Sequence, residues 1–384
     1  MNTLITPQVI AKEALMQLRN NMVMGKLVHR EYKNEFVKVG ATVSIRKPVK
    51  FVASDGAARV PQNIEEASVP FVINKRKHVS WAFSTQDLTL SIEKYSERYI
   101  QPAGIALANI IDQDLCALYT DVFNAVGTAG TTPTTFTHYA QPATEMNRFS
   151  VPQDNRRLVL NPDAHLNAAA FLTTLNAPDL VTSSVRGRKV TTIAEQDVYM
   201  DQNIYAHTAG TNYGDTAYLI NGAAEMGSAL TVDTGSGTFV VGDIITIASV
   251  NSVNPVSRQS TGLVKKFVVT AAMASGGTSV SISPAIITSG AHQNVDVGPA
   301  NNAEITIINT HKANLAFQRN AFGLVVVPLE LPDGSAFKAR QTHDDLSVRV
   351  VKDYDIDTDE DIIRIDVLYG VKTIYGDLAV RLLA

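Results

Sequence analysis

One stretch restricts the architecture of this chain more than any other. From Ser91 to Val126 it reads SIEKYSERYIQPAGIALANIIDQDLCALYTDVFNAV, with Ile100, Gly104, Leu107, Ile111, Leu115, Leu118, Val122 and Val126 recurring at steps of three and four. That period places them on one face of an α-helix. Pro102 lacks an N–H and crowds the preceding turn, so a kink or a restart is expected there, with Pro102 at the first helical position of the main segment. A helix from Ala103 to Val126 would span about 36 Å. GTAGTTPTT stops it. A rod of that length is a spine on which the remaining elements hang.

Before the spine, Thr6-Pro7 is a helix-start signal, followed by the apolar stripe Val9, Ile10, Ala14, Leu15 and Leu18. So short a helix is marginal alone and must dock on its own chain or on another. From Val37 to Phe51 the pattern becomes alternation: Val37, Val39, Ala41, Val43, Ile45, Val49 and Phe51 on one side, Lys38, Thr42, Ser44, Arg46 and Lys50 on the other. Val69, Phe71, Ile73, Val79, Trp81 and Phe83 form a second such run, after a connection carrying the Asp55-Gly56 turn signal. Together they predict a hairpin reaching about 50 Å. A two-stranded ribbon has no second layer to cover its apolar face and must lie on something else. It is also basic, since Lys38, Arg46, Lys47, Lys50, Arg59, Lys75, Arg76 and Lys77 face only Asp55, Glu65 and Glu66. Such charge either guards the ribbon edges in solvent or marks an arm that crosses an oppositely charged neighbour.

Beyond the spine, Arg157 to Leu160 is a short apolar strand and NPDAHLNAAAFLTTLNA a helix capped near Asn161 or Asp163. RGRKVTTIAEQDVYMDQNIYAHTAGT has no firm period and completes a mixed α+β unit. From about Met226 to Asn309 charges thin out, and short β-branched runs alternate with DTGSG, SVNP and SGG. This predicts an inserted β-barrel or sandwich. Mixed helix and strand are expected to return at HKANLAFQRNAFGLVVVPLELPDG. The tail follows as a hairpin, LSVRVVKDYDI then IIRIDVLYG, with a last strand after Gly376. Asp344, Asp345, Asp353, Asp355, Asp357, Asp359, Glu360 and Asp361 there meet only Arg349 and Lys352, so one chain holds a basic arm and an acidic patch.

The formal net charge of -4 argues against tight gripping of nucleic acid, which needs clustered cations on phosphates. It does not exclude enclosing nucleic acid. Cys116, the single cysteine, forms no intramolecular disulfide and reads as a small core residue of the spine. No run of about 18 apolar residues marks a membrane helix, and the N-terminus shows no secretory leader, so intracellular synthesis is expected. Asp355, Asp357 and Asp359 imitate the start of a calcium loop, but Glu360 stands where glycine is needed and Asp366 where the closing glutamate belongs. His29, His78 and His165 are scattered and suit packing or surface roles. Gly127–Gly130 and Gly235–Gly237 fit neither phosphate-loop nor dinucleotide patterns, and no nucleophile elbow occurs. Catalytic, cofactor and metal residues are therefore expected to be none.

The order of short helix, basic hairpin, spine, mixed unit, inserted β domain and strand-rich tail resembles a tailed-phage major capsid protein. Specifically, GATVSIRKPVKF, VSWAFSTQDLTLSIEKYSERYIQPA, FVVGDIITIASVNSVNPVSRQSTGLVKKFVVTA, NLAFQRNAFGLVVVPL and KDYDIDTDEDIIRIDVLYGVKTIYGDLAVRL resemble the coat-protein family of short-tailed Salmonella-type phages. The resemblance implies an α+β Hong Kong ninety-seven-type capsid fold carrying an inserted β-barrel. It implies an N-terminal arm (1–36), an extended-loop hairpin (37–83), a peripheral domain with the spine helix (84–144) and a first part of the axial domain (145–225). The inserted barrel (226–309) and a return to axial and peripheral domains (310–384) complete it.

What the resemblance implies about function is an icosahedral shell around double-stranded genomic DNA, bound without sequence specificity. It would be built from hexamers and pentamers of this chain in the host cytoplasm and carried in the virion. Because the sequence starts almost at its first helix, a separate scaffolding protein is expected instead of a fused one, with a portal protein as a further partner. No lysine-to-asparagine crosslink pair is recognisable, so non-covalent closure is expected. Arg46, Lys47, Lys50, Arg59, Lys75, Arg76, Lys77 and Trp81 on the ribbon, with Asp353, Asp355, Asp357, Asp359, Glu360 and Asp361 on the tail, are the expected intersubunit contacts. A β-rich tail or surface binding protein is the rival from another class. It leaves the spine and the basic ribbon unexplained. An uncharacterised enzyme comes third.

Overall fold

The structure, a computed structural model, describes residues 7–31, 42–49, 51, 56, 68–84, 96–173, 192–335 and 337–384. In chain order the helices are α1 (Pro7–Asn21), α2 (Met24–Leu27), α3 (Gln101–Cys116), α4 (Phe136–Arg148) and α5 (Pro162–Thr173). The strands are β1 (Thr42–Arg46), β2 (Ser68–Val72), β3 (Lys75–Ser84), β4 (Ala125–Gly127), β5 (Arg156–Leu160), β6 (Thr192–Ile193) and β7 (Gln196–Met200). Then follow β8 (Ala206–His207), β9 (Leu219–Ile220), β10 (Gly227–Asp233), β11 (Ile244–Val253), β12 (Ser260–Val269), β13 (Ser279–Ile286) and β14 (Ile305–Ile307). The last are β15 (His311–Gln318), β16 (Phe322–Val327), β17 (Phe337–His343), β18 (Leu346–Asp355), β19 (Glu360–Thr373) and β20 (Ala379–Leu383). Two compact units emerge. The first holds Met1–Ile45, Ser68–Leu115 and Phe322–Ile374, the second Arg46–Ala67, Cys116–Ala321 and Tyr375–Ala384.

In the first unit β19 is the axis of a five-stranded sheet. β3 pairs along one edge from Lys75↔Tyr369 to Ser84↔Glu360, while β18 and β16 follow one another along the other edge, and β17 pairs with β18. Strand alternation sorts the side chains. Ile363, Ile365 and Val367 of β19, Val348 and Val350 of β18 and Ala339 of β17 are buried on one face, and α1 packs on β17 and β18. α1 contributes Ile10, Ala14, Leu15 and Leu18 to that core. Each fully buried Leu, Ile or Val contributes about 1.5–3 kcal/mol. Gly104 lets α1 reach the spine, because a Cβ there would stand 2.8 Å from Gln17 Cβ and 3.2 Å from the Ala14 carbonyl. The buried carboxylate of Asp112 accepts hydrogen bonds from the N–H groups of Val23 (2.5 Å) and Gly25 (2.9 Å), fixing the turn that opens α2.

The ribbon differs from its sequence expectation. Among the described residues β1 pairs only with β2, whereas β3 leaves them and joins the chain's own β19. Residues 37–41 and most of 50–67, which would complete the arm, lie outside the described residues. The base of the arm is anchored by Phe71, fully buried where a Cβ on Gly370 or Gly323 would approach its ring to 2.9 Å. Phe51, expected on the dry side, is 65% exposed because Pro48 breaks the alternation before it.

The spine also ends earlier than its periodicity suggests. A π-turn at Ser96–Ile100 runs into α3, which stops at Cys116 and tightens into a 3-10 turn at Ala117–Asp121. Ala125–Gly127 pairs in parallel with Arg381–Leu383 instead of continuing the helix. Strand pairing there overrides a helical period that merely coincides with buried positions such as Val122.

The second unit contains a seven-stranded sheet ordered β4-β20-β15-β5-β7-β6, with β8 on β15. α4 and α5 pack on it through Tyr139, Met146, Ala164 and Ala168 against Leu158, Leu160, Val198, Ala316, Val380 and Leu382. Where mixed helix and strand are expected to return, at residues 311–334, the described residues form β15, a 3-10 turn and β16 with no α-helix. The insertion is a six-stranded sheet ordered β14-β11-β12-β13-β10-β9. A bridge between Leu219 and Glu304 and the hydrogen bond from Ile220 N to the Ala303 carbonyl (3.0 Å) bring its two edges together as a barrel. Its core already includes Tyr218 and Ile220, so the sheet begins before the compositional break near Met226.

Candidate subunit-assembly surfaces

The alternation along β19 separates the charged residues singled out from the sequence. Lys75, Lys77 and Trp81 share the face of Val367 and Ile363, turned toward the core side. Lys75 Nζ lies 2.8 Å from Asp114 Oδ1, and the buried Tyr369 hydroxyl donates to Asp114 Oδ2 at 2.6 Å. Burial, then the hydrogen bond and charge of Asp114, push the Tyr369 hydroxyl well above its usual range. Asp114 thus ties the spine to the sheet, and Lys75 is used inside its own subunit.

Arg76 belongs to the opposite face. Register places Arg76, His78 and Ser80 on β3 beside Asp366 and Arg364 on β19, Arg349 on β18 and Arg340 on β17. Asp366 is fully buried at the centre. Its Oδ2 accepts from Arg349 Nη2 at 2.5 Å and Nε at 3.2 Å and lies 3.6 Å from Arg76 Nη2; its Oδ1 accepts from Arg364 Nε at 2.7 Å. Burial alone would raise the Asp366 carboxyl, but hydrogen bonds and charges from Arg349 and Arg364 outweigh it and hold the carboxyl below its ordinary value. Three guanidinium groups on one carboxylate leave this face positively charged. Nothing in the spacing of these residues along the sequence announced the cluster, because antiparallel register assembles it.

The acidic residues occupy the far end of the same sheet, at the β18–β19 hairpin. Asp361 stands 3.0 Å from Lys352 Nζ, Asp355 Oδ1 accepts the Asp357 N–H at 3.0 Å, Asp353 Oδ1 accepts the Tyr354 N–H at 3.0 Å, and the Tyr354 hydroxyl donates to Asp359 Oδ1 at 2.7 Å. Glu360 closes the hairpin opposite Asp355. The carboxylates shape a turn, and among the described residues no group of three or more His, Cys, Asp or Glu is placed to hold a metal ion. Ile356 at the tip is 81% exposed. Lys77 pairs with Val367 and Phe83 with Asp361, so the basic triplet and the acidic tip lie about 20 Å apart along the strands. The fold does not bring them together within one chain.

Arg46 is exposed at the end of β1, and Lys47 lines a cavity of about 780 Å³ with Phe149, Lys265, His292 and Asp377. Lys50 and Arg59 lie outside the described residues.

A second cluster that sequence reading missed sits where the barrel meets the seven-stranded sheet. His207 Nε2 donates to Asp243 Oδ1 at 2.8 Å and its Nδ1 lies 3.1 Å from the Tyr119 hydroxyl, while Val240 N–H donates to Asp243 Oδ2 at 2.6 Å. The fully buried Arg381 donates to the Gly242 carbonyl at 2.8 Å and stacks on the Tyr119 ring, 5.0 Å away. Burial pulls the Arg381 guanidinium down to about 9, still charged at neutral pH. His311, 5.3 Å from His207 ring to ring, is drawn down to about 4 by burial, against its hydrogen bond to the Asn309 carbonyl. Five side chains from distant parts of the sequence clamp the insertion to its host sheet.

No described helix is long and apolar enough to cross a membrane. A sequence profile for the family described as P22 coat protein, gene protein 5, matches residues 1–379. No curated protein matches. Among solved structures, one from Mycobacterium phage Che8 is 14% identical, covering 94% of this chain and 90% of its own, with a TM-score of 0.51. The capsid structure of cyanophage P-SCSP1u is 12% identical over 94% of this chain and 87% of its own, with a TM-score of 0.49. The CUS-3 coat protein I-domain is 30% identical, covering 25% of this chain and 98% of its own, with a TM-score of 0.20.

Proposed function

This chain belongs to the P22 coat protein family, and from that premise we propose how its surfaces build a shell. It is a major capsid protein of the Hong Kong ninety-seven fold, whose copies form the capsid of a phage virion. Membership of a structural family implies that it is not an enzyme. The observation that carries the mechanism is a division of labour within the basic run. Among the described residues β1 and β2 form a two-stranded ribbon with no third strand beside it, whereas β3 pairs with its own sheet. The ribbon and the connection between its strands therefore supply the arm, with Arg46, Lys47, Lys50 and Arg59 as the cations directed at a neighbouring copy. Their complement is the carboxylate-bearing surface of that neighbour, a chain of formal net charge -4.

Identical chains close a shell when each carries a patch and its complement on different faces. Exposed ion pairs contribute only about 0–1 kcal/mol each, so closure rests on many weak non-covalent contacts, which also lets misplaced subunits leave. A separate scaffolding protein and a portal protein complete assembly in the host cytoplasm. The slight negative charge of the chain suits a wall around double-stranded DNA that does not grip it. The test is to express the chain with and without a scaffolding protein and examine the void-volume fraction by negative-stain microscopy. Closed or polymorphic shells are expected. Small discrete oligomers under both conditions would overturn the assembly mechanism.

A further inference from the structure

The face of the first unit's sheet turned away from α1 has a charge polarity that its fold does not require. Near the middle stand Arg76 and Arg364, with side chains 46% and 38% exposed, and the exposed Arg340. The Asp366 carboxylate beneath them is fully buried and hydrogen-bonded to Arg349 and Arg364. It fixes guanidinium positions that would otherwise be lost to side-chain freedom, without presenting its own charge to solvent. Ser80, exposed and in register with Arg364, leaves the approach unobstructed. At the end of the same strands the hairpin carries Asp353, Asp355, Asp357 and Asp359 around Ile356, which is 81% exposed. An apolar side chain that exposed, ringed by carboxylates, has the composition of an interface anchor with a polar rim.

We propose that this sheet face is the docking site for the hairpin tip of a second copy of the chain, Arg76, Arg340 and Arg364 receiving the carboxylates and Ser80 and Ile362 lying under Ile356. The inference rests on the shell-forming reading above and adds a contact separate from the ribbon. Charge complementarity selects the occupant. Arg76, opposite Leu368, lies about 25 Å along the strands from the turn beyond Glu360, so it cannot receive Ile356 and its flanking carboxylates from its own subunit but can receive those of another copy. Such a heterologous contact closes into a ring around a symmetry axis when the rotation between successive copies closes. Duplex DNA is the other polyanion that an arginine face could take. It offers no counterpart to Ile356 or to the 37% exposed Ile362.

The test uses the full chain and reads shell yield by sedimentation and microscopy. Asp353→Lys with Asp357→Lys should lower shell yield at least about tenfold while leaving the soluble subunit's unfolding temperature unchanged. Arg340→Glu, which leaves all three guanidinium partners of Asp366 in place, should lower the yield in the same way, and combining it with the tip substitutions should restore yield by re-forming a pair with reversed sign. In a Ser80→Cys, Ile356→Cys variant, mild oxidation should link neighbouring subunits, the native Cys116 being buried. If the patch variant fails to fold, the tip variant and the cysteine pair decide. Wild-type shell yield from the tip variant would overturn the proposal. So would normal shells from the patch variant that have lost only their retention of duplex DNA. If the wild-type chain forms no shells at all, the assembly mechanism itself falls first.

Discussion

Two buried side chains show how much rests on single positions. Phe71 fixes the base of the ribbon in a slot that exists only because Gly323 and Gly370 lack side chains. Phe71→Ala should cost about 3–5 kcal/mol, and Gly370→Ala about 1–3 kcal/mol, since its Cβ would stand 2.6 Å from the Val72 carbonyl. Chemical denaturation of the unassembled subunit reads both. The alternation of Phe71 with Val69 and Ile73 was legible in the sequence, but the glycine slot was not, because it joins two strands and a ribbon far apart in the chain. His311 gives a pH signature. Its folded value of about 4 lies below the ordinary 6.5, so the unfolded chain binds the proton first as pH falls. Stability is fully present above about 6.5 and is lost progressively down to about 4, by about 3 kcal/mol in total. His311→Gln should flatten that part of the profile of unfolding temperature against pH. An unchanged profile would remove His311 as the cause.

At the scale of elements, the sequence identified the spine, the basic alternating run and the tail hairpin by their periods, and the barrel by its change of composition and its turn signals. It did not reveal where each one stops. β3 has the same alternation as β1 and β2, and only the presence of β19 with a complementary dry face decides that it joins the body. The helix stops at Cys116 for a similar reason, because β20 recruits Ala125–Gly127. This changes the expected effect of charge reversal. Lys75→Glu should destabilise the subunit itself by setting two carboxylates at Asp114, whereas Lys47→Glu with Lys50→Glu should leave the subunit's unfolding unchanged and reduce shell yield. The opposite pattern would return Lys75 to the interface and remove the ribbon from it. The clamp on the insertion is an element-scale feature too. Asp243→Ala leaves His207, Arg381 and the Val240 N–H without their buried partner or counter-charge, and should cost about 3–5 kcal/mol and much of the soluble yield. A variant as stable as the parent would show the clamp to be idle.

For the whole molecule, the order of elements carried the family likeness almost completely, whereas the charge pattern was only half legible. Composition located a basic arm and an acidic tail but assigned all of Lys75, Arg76 and Lys77 to the arm. Register then showed one of them bound to Asp114 and another bound to Asp366 on an arginine face that linear spacing hides. In the proposed mechanism, a shell subunit differs from a self-contained protein in that its ribbon finds its missing layer on a neighbour. The most direct measurement is a reconstruction of the assembled particle by electron cryomicroscopy at a resolution that traces the chain between Arg46 and Ser68. The account predicts that this segment lies across the adjacent subunit, with Arg46, Lys47, Lys50 and Arg59 facing its carboxylates. A segment folded back along its own subunit, with no contact to the next, would contradict it.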